Sequence, residues 1–146
     1  MKTFADKTKI GWREWVQLPG LGISRIKAKV DTGAHTSSLD ARVIEYFEEK
    51  GESLVRFAAI YGSQKNPKSK TCTARVVEHR NVTNSGGQIE ERIVICTTIQ
   101  IGQVRKDIEI SLTCRKNMKF RMLLGRTTVN HDFIIDPVES YLAANP

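Results

Sequence analysis

Apolar residues recur at every second position through several stretches of this 146-residue chain. That spacing limits the fold more than any other feature does. Ile26, Ala28 and Val30 alternate with Lys27 and Lys29, giving an extended segment one apolar and one charged face. Val55, Phe57 and Ala59 repeat the pattern around Arg56 and Ala58. Residues 93–101 are rich in β-branched side chains. After Gly102-Gln103, Ile108, Ile110 and Leu112 alternate with Asp107, Glu109 and Ser111. Two such runs about a two-residue turn read as a hairpin. Residues 39–50 fit two periods: Leu39, Val43 and Phe47 suit a helix, Leu39, Ala41 and Val43 a strand. A strand is favoured at the start of that segment.

Turn chemistry separates the runs at Pro19-Gly20, Gly51, residues 62–70 and Asn84-Ser85-Gly86-Gly87. A short helix is expected after Gly125, over residues 127–130. The pattern predicts an all-β domain, closed or sandwiched. Residues 10–146 read as one domain, and residues 1–9 as a mobile N-terminal arm. Residues 62–70 contain no apolar side chain and read as an exposed loop, either a solvated hairpin tip or a cover over a cleft.

Composition narrows the class. A 40% hydrophobic, 27% charged chain is ordinary for a soluble globular protein, and excludes collagen, coiled coil and long disorder. The net charge of +7 favours an acidic partner. Cys72, Cys96 and Cys114 are too few and too far apart for a disulfide scaffold. They read as small core residues of a cytoplasmic protein. No signal peptide, membrane span or phosphate-binding G-x-x-x-x-G-K-[ST] loop is present, so neither membrane nor nucleotide is an expected partner. Nucleic acid fits the charge, but no basic-aromatic stacking pattern accompanies it. His35, His79 and His131 stand apart. A zinc site from His35, Asp31 and Asp40 is disfavoured against a plain polar turn, and no metal or other cofactor is expected.

The chemistry-bearing segment is Asp31-Thr32-Gly33-Ala34, where a strand delivers an aspartate into a tight turn. About ninety residues later Leu124-Gly125-Arg126 closes an apolar strand. This order resembles that of retropepsin-like aspartic proteases. Ile10–Val16, Thr36-Ser37-Ser38-Leu39, Glu91-Arg92, Met122–Arg126 and Asp136-Pro137 extend the likeness. Together they resemble the bacterial and archaeal family labelled "ATP-dependent zinc protease", which is associated with glutamate ligases of the ribosomal-modification type. Two positions depart from that family's pattern: His35 replaces an expected Lys or Arg, and Asp40 an expected His.

The resemblance implies a closed retropepsin-like (acid protease) barrel with one short C-terminal helix. It implies that Asp31 is the catalytic carboxylate of a peptidase and that Thr32, Gly33 and Ala34 form its supporting turn. Leu124, Gly125 and Arg126 then form the second supporting element. Arg126 either braces that element, with Asp136 as one partner, or contacts substrate. Aspartic chemistry needs two carboxylates sharing one proton. With one D-T-G per chain, the second comes from a homodimer. The charge and the glutamate-ligase association point to an acidic peptide substrate, with His35, Lys65, Lys68 and Lys70 as substrate contacts. The alternatives are a non-catalytic peptide-binding module of the same fold and a zinc-dependent peptidase.

Overall fold

The computed structural model describes residues 3–83 and 86–143. Among these residues ten strands and one short α-helix follow in chain order: β1 Thr8–Gly11, β2 Arg13–Leu18, β3 Ile23–Val30, β4 Ser37–Glu49, β5 Glu52–Gly62, β6 Pro67–Thr83, β7 Ile89–Ile101, β8 Val104–Thr113, β9 Met122–Leu124, α1 Arg126–Val129 and β10 Phe133–Asp136. The predominance of strand agrees with the period-two reading. The ambiguous segment after Ser37 is strand throughout, and the helix falls within a residue of its expected place.

Eight strands pair in the order β2-β3-β9-β4-β5-β6-β7-β8. Further pairings of β2 with β7 and of β4 with β8 turn the sheet into a ring. The long β4 has two roles. Its first four residues, Ser37 to Asp40, are buried and pair in parallel with Ile110 to Thr113 of β8. Beyond Ala41 it pairs with β5 and is mostly exposed. The alternation on β3 places Ile26 and Ala28 in the core and leaves Lys29 exposed. Phe57, Ile95, Ile110, Met122 and Leu124 fill the interior they face. The β7–β8 turn closes as expected, with Ile101 opposite Val104 and Gly102 at a φ of 58°.

Two boundaries differ from the sequence reading. Thr8 and Lys9 belong to β1, which pairs in parallel with β10, so they are not part of an arm. The loop over residues 62–70 is shorter than expected. Gly62 already faces Pro67, and Lys68, Ser69 and Lys70 continue β6 opposite Tyr61, Ile60 and Ala59. Only residues 63–66 form the turn. Strand positions 67–70 are exposed, so no apolar alternation marked them.

Glu14 on β2 fixes the C-terminal segment. Its fully buried carboxylate accepts N–H bonds from Gly11, Leu142 and Ala143 at 2.7–3.0 Å. A buried charge is tolerable when its oxygens are satisfied this way. Among the described residues, no helix is long and apolar enough to cross a membrane.

Candidate active site

β3 ends at Val30 and hands Asp31 to the turn. The Asp31 side chain folds back, its Oδ1 accepting the N–H of Gly33 at 3.0 Å, while its carbonyl accepts from Ala34 at 3.1 Å. This is the side-chain-capped turn that an Asp-x-Gly sequence favours. A Cβ on Gly33 would lie 3.2 Å from that same Oδ1, so glycine leaves the carboxylate room.

The element after β8 meets this turn directly. β9 lies between β3 and β4, pairing parallel with the first and antiparallel with the second. The Asp31 N–H donates to the Leu124 carbonyl at 2.9 Å. The Arg126 and Thr127 N–H groups donate to Ala34 and His35 carbonyls at 2.8 and 3.0 Å. Arg126 Nη1 adds a bond to the Thr32 carbonyl at 2.8 Å. Gly125 passes so close to β4 that a Cβ there would sit 2.6 Å from the Thr36 carbonyl carbon. Its N–H donates to Ser37 Oγ at 2.9 Å, and that hydroxyl shares a 2.6 Å bond with Thr128 Oγ1. Both hydroxyls are fully buried. Asp31 to Ala34 and Leu124 to Arg126 are therefore brought together. Asp136 is not a partner of Arg126: it accepts from Val138 N–H and pairs with Lys9 at 3.5 Å.

The remaining candidates scatter. His35 is exposed and shares a 3.2 Å contact with its neighbour Thr36 Oγ1. Lys65 sits on the β5–β6 turn and Lys68 on β6, both exposed, while Lys70 donates to the Gly22 carbonyl at 2.8 Å. Cys72 is buried and Cys96 half-buried, but Cys114 is exposed, because β8 ends one residue before it. Trp12 packs edge-on against Phe120, and Trp15 stacks on Tyr141 beneath Arg25.

The sequence reading missed a second polar centre. Asp40, 2% exposed, accepts from Arg121 Nη1 at 2.7 Å and from the Arg115 N–H at 2.8 Å. Arg115 is itself buried, and its Nε donates to the Phe120 carbonyl at 2.9 Å. Burial pulls the Arg115 guanidinium below its ordinary value, while the charges of Asp40 and Asp31 push it back up. Asp40, Ala41, Arg42, Ile60, Pro67, Cys114, Lys116 and Arg121 line a pocket of about 480 Å³. The β5–β6 turn reaches the same region, since Gln64 donates to the Met118 carbonyl and Arg121 to that of Ser63. The only sequence signal for this centre was Asp40, noted as a departure. Engaged as it is with Arg121 and Arg115, Asp40 does not join Asp31 and His35 in a metal-binding set. Among the described residues no group of three or more His, Cys, Asp or Glu side chains could hold a metal ion.

An Asp-Thr-Gly turn at a strand end, laced to a Leu-Gly-Arg element that runs into a short helix, places the chain in the retropepsin-like class. The chain belongs to the RimB-like family, described as "Retropepsin-like aspartic endopeptidase RimB", whose model matches residues 9–146. It is 41% identical over 137 residues to a protein of Shewanella halifaxensis named "Probable alpha-L-glutamate ligase". That match covers 93% of this chain but 30% of the relative. A Desulfotalea psychrophila protein of the same name is 41% identical over 131 residues, covering 90% of this chain and 28% of that one. The chain thus spans less than a third of the curated relatives' length. A crystal structure of a Legionella pneumophila protein of unknown function superposes with a TM-score of 0.75 at 26% identity, covering 92% of this chain and 97% of that one.

Proposed function

We propose that this chain is a cytoplasmic aspartic-type endopeptidase that works as a homodimer on glutamate-rich peptides. In this reading the strand ring is the closed acid-protease barrel, and two copies face each other across their Asp31 turns. The observation that carries it is the bracing of Asp31. Its N–H donates to Leu124, and the carbonyls of Thr32, Ala34 and His35 in the turn that follows accept from Arg126 and Thr127. A carboxylate held this firmly at a strand end is preorganised for proton transfer.

Two carboxylates in hydrogen-bonding reach share one proton, because both cannot ionise at that separation. The ionised Asp31 takes a proton from water as its oxygen bonds to the peptide carbonyl carbon. The protonated Asp31 of the partner subunit gives its proton to the carbonyl oxygen. The resulting gem-diol collapses: the C–N bond breaks, the amine nitrogen takes a proton from one carboxyl, and a diol hydroxyl returns its proton to the dyad. One water is consumed, and a carboxyl and an amine terminus are released. No metal or cofactor enters these steps.

Two facts support glutamate as the substrate chemistry. The chain carries a net charge of +7. The matching segment also occurs within much longer relatives named for glutamate ligation. A hydrolase sharing a polypeptide with such a ligase is placed to cut the bonds that ligation makes. The test is incubation with a peptide ending in consecutive glutamates, with products identified by mass. Internal cleavage within the glutamate run is expected. Binding of that peptide without cleavage, by a protein shown to be dimeric, would replace the enzyme with a peptide-binding module.

A further inference from the structure

Arg115 stands out among the charged side chains. It is 8% exposed, and its backbone and Nε are used by Asp40 and Phe120. Among the described residues, its two terminal nitrogens have no hydrogen-bond partner, and they are not among the atoms sealed from solvent. It also lies close enough to the Asp31 turn for that carboxylate's charge to act on it. Phe120, which accepts from Arg115, packs against Trp12, and the Trp12 carbonyl accepts from Val30, the residue before Asp31. Its neighbours Cys114 and Lys116 line the 480 Å³ pocket near the β5–β6 turn, and Arg115 is not among the residues lining it.

A guanidinium left with two free N–H-bearing nitrogens in a partly dehydrated setting matches the two oxygens of a carboxylate. We propose that Arg115 is the specificity-determining residue of this site, binding the side-chain carboxylate of a substrate residue beside the scissile bond. The inference rests on the peptidase reading above for the place of that bond, but it concerns recognition and is separable from catalysis. It also reassigns the selectivity expected of Lys65, Lys68 and Lys70. Those ammonium groups are exposed, where salt screens them and attraction is weak.

Peptide binding in the Asp31→Asn background tests this without relying on hydrolysis. The probes are a fluorescent octaglutamate and the matching octaglutamine, read by anisotropy. The parent is expected to prefer octaglutamate by roughly ten-fold or more, the range for a hydrogen bond to a charged group. Arg115→Gln is expected to cut that preference to below about three-fold while octaglutamine binding stays the same. A structural role alone would weaken both peptides together. The joint replacement of Lys65, Lys68 and Lys70 by Gln, at exposed positions that do not threaten folding, is expected to keep most of the preference. Loss of preference in that triple variant, its persistence in folded Arg115→Gln, or its absence in the parent would overturn the proposal. Failure of the wild-type protein to cleave either peptide would remove the peptidase reading and leave the binding result standing.

Discussion

The backbone N–H of Asp31 donates to the carbonyl of Leu124 at 2.9 Å, 93 positions further along the sequence. The bond extends the β3–β9 ladder by one step past Val30 and Leu124, so the sheet itself sets where the carboxylate stands. Anything that shifts β9 shifts Asp31.

Gly125 is the point where that coupling is most exposed to mutation. Gly125→Ala places a methyl 2.6 Å from backbone at Thr36, where no flexible side chain can move aside. Overpacking of this kind costs about 1–3 kcal/mol. Urea unfolding is expected to show a lowered midpoint, and hydrolytic activity is expected to fall at temperatures where the variant is still folded.

Ser37 offers a subtler change at the same junction. Ser37→Ala removes the acceptor for Gly125 N–H and the partner of Thr128 Oγ1, both buried. Leaving buried polar groups unpaired costs about 1–3 kcal/mol. Ser37→Thr keeps the hydroxyl and should recover part of the loss, measured by the same denaturation.

The Asp40–Arg121 pair is buried on both sides, with side chains 4% and 8% exposed. Asp40→Ala strands the Arg121 charge and is expected to cost about 3–5 kcal/mol. Replacing both, as Asp40→Leu with Arg121→Met, should cost less than Asp40→Ala alone, because no charge is left unpaired. A double variant less stable than the single one would mean that the pair itself, rather than its neutralisation, holds residues 115–121 in place.

Asp136 predicts a pH signature. The Val138 N–H, and after it Lys9, hold its carboxyl below the ordinary value of 3.8. A carboxylate lowered on folding contributes stability that is complete above its unfolded value and lost as pH falls through the folded one. The stability gap between wild type and Asp136→Asn should therefore be widest near neutrality and close below about pH 4. Denaturation midpoints at pH 7 and pH 2.5 measure it.

The chain's own pattern made some of this legible and hid the rest. Where one strand face is buried, as at Ile26 and Ala28 or Ile108 and Ile110, period-two alternation marked the strand. At Lys68 to Lys70 the strand is exposed, so its residues carry no apolar mark and read as loop. Asp31 was visible as the end of a strand run into a Thr-Gly turn, and Gly125 through the resemblance of Leu124-Gly125-Arg126 to a retropepsin-like element. Arg115 was not. An arginine after a strand is common, and its burial depends on Asp40 and Phe120, 75 and 5 positions away. Ser37 and Thr128 lie 91 residues apart, and nothing local distinguishes them from exposed hydroxyls.

The most direct measurement is the rate of hydrolysis of a glutamate-rich peptide by wild type and Asp31→Asn, with the fold and dimer of each verified by circular dichroism and sedimentation. A dimer competent for catalysis is expected to bury at least about 1,000 Å² in all. The substitution is nearly isosteric but removes both the base and the shared proton of the dyad. Wild type should cleave the peptide and folded, dimeric Asp31→Asn should show no cleavage above background. Cleavage by Asp31→Asn at the wild-type rate would contradict the assignment of Asp31 as the catalytic carboxylate.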